Sequence, residues 1–177
     1  MDRSDDQQIY TPTMTPMPAM ILAGGRGIRL GARDKALCPL GDSTLLQHCL
    51  TRLKPHCTPV ALNANGALNR FAPFGIQVVP DSLEGHLGPL AGVLEAMEWA
   101  ADLGHTEVIT IAVDTPFFPH DLIKRFTADR VQGQIALAGT CDAEGKLWQH
   151  PTFGVWPVAL RDQLRADVLA GTRKVTQ

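Results

Sequence analysis

A short apolar run that ends in two glycines and a basic loop constrains the fold of this chain more than any other feature. The run covers residues 20–23, the glycines are Gly24 and Gly25, and the loop extends to Lys35. A buried strand that opens into such a loop is typical of the carboxyl edge of an open α/β sheet, where phosphorylated ligands bind. Glycine lets backbone N–H groups approach phosphate oxygens, and cationic side chains offset the phosphate charge. The cationic residues of this loop are Arg26, Arg29, Arg33 and Lys35.

Beyond this run, strand-like and helix-like segments alternate along the chain. Apolar residues at 45, 46, 49, 50 and 53 have helical spacing, and either Ser43 or Thr44 is a suitable cap for that helix. Strands are predicted at 19–23, 59–62, 76–79, 107–113, 135–138 and 152–156, and helices at 45–53, 90–103, 119–126 and 157–169. This alternation predicts an α/β fold with a mostly parallel sheet and helices on both faces. We expect one domain over 19–177 and a disordered leader at 1–18.

Composition and charge exclude several classes of function. A formal net charge of −2 over 177 residues does not indicate a protein that binds nucleic acid along its surface. No apolar run approaches the ~20 residues of a membrane-spanning helix, and residues 1–18 lack the apolar core of a signal peptide. The cysteines form no C-x-x-C pair, which favours reduced thiols over a zinc site. We therefore expect a cytoplasmic protein without a nucleic-acid or membrane partner. The cysteines are Cys38, Cys49, Cys57 and Cys141.

Small or polar residues follow four of the predicted strands. They are Gly24–Gly25, Asn63, Asp81 and Asp114. In an open α/β sheet all four would lie along the carboxyl edge, which is where such folds bind ligands. Asp114 suits Mg²⁺, which binds few protein carboxylates and takes its other oxygens from phosphates and water. The alternatives are a helix cap or turn for Asp114 and Asp81, and a turn rather than contact with a nucleobase for Asn63.

Other common active-site motifs are absent from the sequence. The glycine loop is not a dinucleotide-binding fingerprint, because Leu30 occupies a position that requires glycine, and it is not a P-loop, because no G-K-S/T follows. No metal-binding histidine pair and no G-x-S-x-G nucleophile elbow occur, which disfavours nucleophilic hydrolysis. The glycines within 85–92 indicate either close helix packing or backbone approach to a base or ribose.

Taken together, the motifs resemble those of the nucleotidyltransferases that act on the molybdenum cofactor, in particular the molybdenum cofactor guanylyltransferases. The resemblance covers the chain from residue 19 onward. The combination of LAGG with GPLAG and DTPF is specific, whereas LAGG alone is shared with sugar-phosphate nucleotidyltransferases. The matching segments are LAGGRGIRLGARDK at 22–35, NAN at 63–65, DSL at 81–83, GPLAG at 88–92, VDTPF at 113–117 and HPTFGVW at 150–156.

The resemblance implies a Rossmann-like three-layer α/β/α fold with a mostly parallel, mixed sheet, as in nucleotide-diphospho-sugar transferases. It implies transfer of GMP from Mg-GTP to molybdopterin with release of pyrophosphate. Molybdoenzymes or other proteins of molybdenum cofactor biosynthesis are the implied protein partners. Catalysis would involve Lys35, Asp114 and Arg29, with Mg²⁺ on Asp114. The residues implied in GTP binding are Leu22, Ala23, Gly24, Gly25, Lys35, Asn63, Asp81 and Asp114.

Three alternatives remain at this point. One is a cytidylyltransferase acting on the same cofactor, whose loop tends toward LAAG with alanine at the position of Gly24. Another is a non-catalytic molybdopterin carrier or adaptor, because members of the family continue beyond residue 177 with a strand and an N-x-N-T-P segment that can complete the metal site. The third, a sugar-phosphate nucleotidyltransferase, would need additional sugar-binding segments.

Overall fold

The structure is a computed structural model that describes residues 16–24, 34–83, 88–128 and 130–172. The helices are α1 (Leu45–Leu53), α2 (Pro89–Asp102), α3 (Leu122–Ala128) and α4 (Arg161–Leu169). Short 3-10 turns cover Lys35–Leu37, Leu68–Phe74 and Val158–Leu160. The strands are β1 (Met17–Leu22), β2 (Pro39–Leu40), β3 (Ser43–Thr44), β4 (Cys57–Asn63), β5 (Gln77–Val79), β6 (Glu107–Ala112), β7 (Ala136–Cys141) and β8 (Leu147–Pro157).

A six-stranded sheet with the order β5-β4-β1-β6-β8-β7 forms the centre of the fold. Strands β5, β4, β1 and β6 run parallel, whereas β8 is antiparallel to both β6 and β7. Strands β2 and β3 form a separate ribbon. The predicted α/β fold with a mostly parallel, mixed sheet is therefore confirmed.

The two faces of the sheet are buried by different helices, because alternate side chains of a strand point to opposite faces. Ile21 of β1 packs in a cluster with Leu50 of α1 and Phe126 of α3. Its neighbour Met20 packs in a second cluster with Met97 of α2. These clusters make the three layers of the fold. Within the described part of the chain, no helix has both the length and the apolar composition needed to cross a membrane.

The helix boundaries follow local sequence signals in most cases. Helix α1 has the predicted bounds, and its cap is Thr44, whose Oγ1 accepts a hydrogen bond from the Gln47 N–H at 3.2 Å. Helix α2 ends before Gly104, which has a φ of +78° and is the predicted stop. The helix predicted at 119–126 begins only at Leu122, because the residues from Pro119 form a turn.

Other element boundaries also differ from the prediction. Strand β1 begins at Met17, so this residue and Pro18 of the predicted leader belong to the sheet, while residues 1–15 of the leader lie outside the described residues. The last helix begins as a 3-10 turn at Val158–Leu160 and becomes α-helical only at Arg161.

Strand β8 is longer than predicted, covering Leu147–Pro157 rather than 152–156. Its first half is exposed and therefore lacks the apolar pattern of a buried strand. The register with β7 shifts where Leu137 pairs with Gly154 and the next residue pairs with His150. Pro151 lies within this irregularity. The regular hydrogen bonding between β7 and β8 is already interrupted there, so the missing N–H of proline costs no strand-to-strand hydrogen bond.

Candidate functional site

The carboxyl ends of β1, β4, β5 and β6 lie side by side at one edge of the sheet. In the register, Leu22 is opposite both Asn63 and Ala112, and Asn63 is also opposite Val79. Residues that follow these strands are consequently neighbours in space, as predicted. The predicted site residues that the structure describes are Leu22, Ala23, Gly24, Lys35, Asn63, Asp81 and Asp114.

Three side chains at this edge form a hydrogen-bonded group that we call the amide corner, which consists of Asn63, Asn65 and Asp81. Asn63 Nδ2 donates to Asp81 Oδ1 at 2.8 Å and to the Val79 carbonyl at 3.1 Å. Asn65 Nδ2 donates to Asp81 Oδ2 at 2.7 Å, and its Oδ1 accepts from the Asp81 N–H at 2.9 Å. Each carboxylate oxygen of Asp81 thus receives an amide donor, which fixes the orientation of this carboxylate.

Two glycines allow the backbone to approach the amide corner closely. A Cβ at Gly92, in the first turns of α2, would lie 2.7 Å from Asn63 Oδ1 and 3.1 Å from Leu22 Cδ2. A Cβ at Gly24 would lie 3.1 Å from the same Asn63 oxygen. Both distances are shorter than ordinary van der Waals contact, so the close packing of α2 against Asn63 requires a residue without a side chain. This explains the last glycine of the GPLAG motif.

Lys35 and Asp114 form an ion pair at the same sheet edge, although they are far apart in the sequence. Lys35 Nζ lies 3.1 Å from Asp114 Oδ2, and the two side chains are 41% and 50% exposed. Lys35 begins a 3-10 turn whose cap is Asp34, since Asp34 Oδ1 accepts from the Ala36 N–H at 3.0 Å. The turn presents the ammonium group toward the end of β6.

Asp114 does not cap the α-helix that follows it in the chain. It lies in a turn directly after β6, whereas α3 begins at Leu122. The helix-cap alternative for Asp114 is therefore wrong, whereas the turn alternative agrees with the structure. A half-exposed carboxylate at a sheet edge is an oxygen ligand of the kind that Mg²⁺ accepts. Among the described residues there is no group of three or more potential metal-ligating side chains.

A buried carboxylate supports the segment that follows β5. Glu95 of α2 is 5% exposed, and its Oε1 accepts from the Ser82 N–H at 2.7 Å and also from the Ser82 hydroxyl. Burial raises the pKa of the Glu95 carboxyl, while the hydrogen bonds from Ser82 lower it. Glu95 therefore anchors Ser82, the residue next to Asp81 of the amide corner.

Sequence reasoning missed two residues that support the site. Glu95 is a charged residue among the buried positions of α2, and this was its only signal in the sequence. Arg70 contacts Asp34 and Asn65, but no motif marked it. Two predicted residues, Gly25 and Arg29, lie outside the described residues, as do the neighbouring Arg26 and Arg33 of the loop.

Comparison with known proteins shows the family to which this chain belongs. A sequence profile described as the MobA-like NTP transferase domain matches residues 19–177. The molybdenum cofactor guanylyltransferase of Bradyrhizobium sp. (strain ORS 278) is 43% identical over 168 residues, which cover 93% of this chain and 78% of that protein.

Solved structures agree on the fold. The molybdopterin-guanine dinucleotide biosynthesis protein A of Archaeoglobus fulgidus superposes with a TM-score of 0.69 at 19% identity, covering 90% of this chain and 76% of that chain. A manganese complex of Rv0371c from Mycobacterium tuberculosis H37Rv superposes with a TM-score of 0.59 at 19% identity, covering 85% of this chain and 75% of that one. At these identities the likeness bears on the fold alone.

Proposed function

Because this chain belongs to the MobA-like NTP transferase family and is a nucleotidyltransferase, we propose that it transfers GMP from GTP to the terminal phosphate of molybdopterin. Pyrophosphate leaves, and the product is the guanine dinucleotide form of the molybdenum cofactor. The observation that carries the proposal is the Lys35–Asp114 pair at the same sheet edge as the amide corner. The name of the Bradyrhizobium relative supports GTP and molybdopterin as the substrates.

Lys35 and Arg29 are the residues that we assign to the triphosphate. An exposed ion pair contributes only about 0–1 kcal/mol, so the several negative charges of GTP can draw the Lys35 ammonium away from Asp114. Lysine suits this role because its ammonium is a mobile point charge on a flexible stem. Arg29 belongs to the same basic loop and would provide a second cation.

Asp114 is the residue that we assign to Mg²⁺. The donor set fits this ion, because a half-exposed carboxylate leaves several coordination positions for phosphate oxygens and water. When bound, the ion neutralises charge on the phosphate oxygens. The preference for Mg²⁺ over Mn²⁺ is part of the proposal.

The nucleoside would lie at the amide corner. Asn63 and Asp81 are held by internal hydrogen bonds, so they offer fixed polar groups before the ligand binds. Fixed donors and acceptors bind a ligand at a lower cost in conformational entropy than mobile ones. The backbone that we assign to the lining of the GTP site is that of Leu22, Ala23, Gly24 and Gly25.

The reaction needs no nucleophile or general base from the protein. The attacking oxygen belongs to a phosphate that is already an anion, and it forms a bond to the α-phosphorus while the bond to pyrophosphate breaks. The main obstacle is repulsion between the two anions, and phosphoryl chemistry generally depends on positioning and charge stabilisation. Lys35 would offset the charge that develops at the α-phosphate.

The direct test is incubation of the protein with molybdopterin, Mg²⁺ and either GTP or CTP, with pyrophosphate and the dinucleotide product measured. We expect product and pyrophosphate with GTP alone. Turnover with CTP instead would identify the cytidylyltransferase, and binding of molybdopterin without pyrophosphate from either nucleotide would contradict the proposed reaction. Parallel assays with Mn²⁺ in place of Mg²⁺ test the assigned metal.

A further inference from the structure

We propose that Arg70 is a positioning residue that joins the two parts of the site, the amide corner and the turn that begins at Lys35. The inference rests on the proposed function, because it concerns the binding of the nucleotide. Arg70 lies in the 3-10 segment Leu68–Phe74, between β4 and β5, and outside every motif of the sequence. Its guanidinium reaches both parts of the site.

On one side, Arg70 binds the residue that orders the Lys35 turn. Arg70 Nε donates to Asp34 Oδ2 at 2.7 Å, and Nη2 lies 2.5 Å from the same oxygen. The other carboxylate oxygen of Asp34 caps the turn through the Ala36 N–H. Both oxygens of the Asp34 carboxylate are therefore held by hydrogen bonds, and the position of this carboxylate determines where the turn at Lys35 begins.

On the other side, Arg70 binds the backbone of the amide corner. Arg70 Nη2 donates to the Asn65 carbonyl at 2.7 Å, and Nη1 donates to the Ala67 carbonyl. The Asn65 side chain binds Asp81 through both its amide nitrogen and its amide oxygen. Movement of the Asn65 backbone would thus move the two contacts that orient Asp81.

The environment of Arg70 favours one rigid arrangement of the guanidinium. The side chains of Arg70 and Asp34 are 27% and 19% exposed, so this pair is more buried than Lys35–Asp114. The Arg70 guanidinium carbon lies 4.3 Å from the centre of the Phe71 ring. A planar group with five N–H donors can serve three acceptors in different directions, whereas a lysine ammonium is a single compact centre.

The test is titration of the protein with a fluorescent GTP analogue and Mg²⁺, alongside urea unfolding of each variant. We expect Arg70→Met to weaken nucleotide binding about tenfold, and Arg70→Lys to weaken it about threefold because the charge beside Asp34 is kept. The matched control is Arg165→Met, which removes another partly buried ion pair, that with Glu98. The control should lose stability without losing nucleotide affinity.

A second arm asks whether Arg70 acts through the Lys35 turn. In the Lys35→Ala background, we expect Arg70→Met to weaken binding by a smaller factor than in the wild type, because part of its effect has already been lost. The same factor in both backgrounds would overturn the joining role. An Arg70→Met variant that binds the analogue as tightly as Arg165→Met would overturn the inference while leaving the proposed function intact. Failure of the wild-type protein to bind the analogue would instead overturn the proposed function, and this inference with it.

Discussion

The amide corner and the Lys35–Asp114 pair occupy the same sheet edge, yet they are built in opposite ways. Asn63 is 1% exposed and bonded to the backbone of β5, so it anchors the corner in the folded core, while Asn65 is exposed. The Lys35 and Asp114 side chains are 41% and 50% exposed and meet through one contact of 3.1 Å. One part is fixed before a ligand arrives, and the other can exchange its internal contact for contacts with the ligand.

The difference has a measurable consequence for substitutions. Loss of a buried hydrogen-bonding group costs about 1–3 kcal/mol, because its partner loses a bond that water cannot replace. Loss of an exposed ion pair costs about 0–1 kcal/mol. Variants of Asn63, the buried member of the amide corner, should therefore lose stability together with function, whereas variants of the Lys35–Asp114 pair should lose function alone.

The largest effect that we expect is that of Lys35→Ala on turnover. Removal of a cation that stabilises developing charge lowers kcat by roughly 10²–10³-fold, by analogy with other preorganised electrostatic groups. The free energy of unfolding should change by less than about 1 kcal/mol, because the lost ion pair is exposed. Steady-state pyrophosphate release and urea denaturation measure the two quantities.

Asp114→Ala should likewise lower turnover while leaving the free energy of unfolding nearly unchanged. In this variant a higher Mg²⁺ concentration should not restore activity. The control for both variants is Arg125→Ala, which removes the exposed ion pair between Arg125 of α3 and Asp121. Near-normal turnover in either Lys35→Ala or Asp114→Ala would remove that residue from the catalytic role.

Asn63→Ala should reduce stability and nucleotide binding together. The variant loses the hydrogen bonds to Asp81 and to the Val79 carbonyl in a buried setting, and we expect it to lower the free energy of unfolding by about 2 kcal/mol. Asn69→Ala is the matched control, since Asn69 is exposed in the same region of the chain. Equal stability of the two variants would show that the amide corner does not contribute to the fold.

Gly92→Ala should displace Asn63 by overpacking. We expect a loss of about 1–2 kcal/mol, because the clash with Asn63 Oδ1 outweighs the better helix propensity of alanine. The double variant Asn63→Ala/Gly92→Ala offers a sharp check. If the clash is with Asn63, then Gly92→Ala should cost much less in the Asn63→Ala background, and an unchanged cost would assign the clash to another neighbour such as Leu22.

Glu95→Gln should give the smallest effect, seen as a change in the pH dependence of stability. Burial raises the pKa of the Glu95 carboxyl above its value in the unfolded chain. The stabilising contribution of this group is therefore full below the unfolded pKa and is lost as the pH rises through the folded pKa. A glutamine does not ionise, so it loses no stability as the pH rises, and its Oε1 can accept both hydrogen bonds from Ser82.

Urea unfolding of wild type and Glu95→Gln from about pH 4 to 7 measures this difference. We expect the variant to gain stability relative to the wild type as the pH rises. Glu144→Gln, at an exposed position of the β7–β8 turn, is the control. If the wild type instead gained stability relative to the variant as the pH rises, ionised Glu95 would stabilise the fold.

The sequence predicted the parallel part of the fold well, because each of those strands carries its own local signal. Near-continuous apolar runs mark β1 and β6, and Thr44 and Gly104 mark ends of helices. The exposed half of β8 carries no such signal, since its pairing depends on β7 rather than on burial. A pattern of apolar residues in one sequence cannot predict an exposed strand that is held only by hydrogen bonds to a neighbouring strand.

In the candidate site, too, some residues carry a local sequence signal and others depend on contacts between distant segments. Asn63 ends a strand and Asp81 and Asp114 lie just beyond strand ends, so their proximity was predictable from the parallel sheet. The contacts of Arg70 with Asp34 and of Glu95 with Ser82 join residues 36 and 13 positions apart. Neither pair has a characteristic spacing, because its geometry depends on how the 3-10 segment and α2 pack in three dimensions.

The hydrogen bond from the Asp81 N–H to Asn65 Oδ1 gives this amide an unusual form of protection from solvent exchange. Most protected amides donate to backbone carbonyls of a sheet or helix, whereas this one donates to a side chain, at 2.9 Å. Its hydrogen should exchange with deuterium whenever the Asn65 side chain swings away, without opening of the sheet. The exchange rate of one backbone amide thus reports how often the amide corner opens, separately from global unfolding.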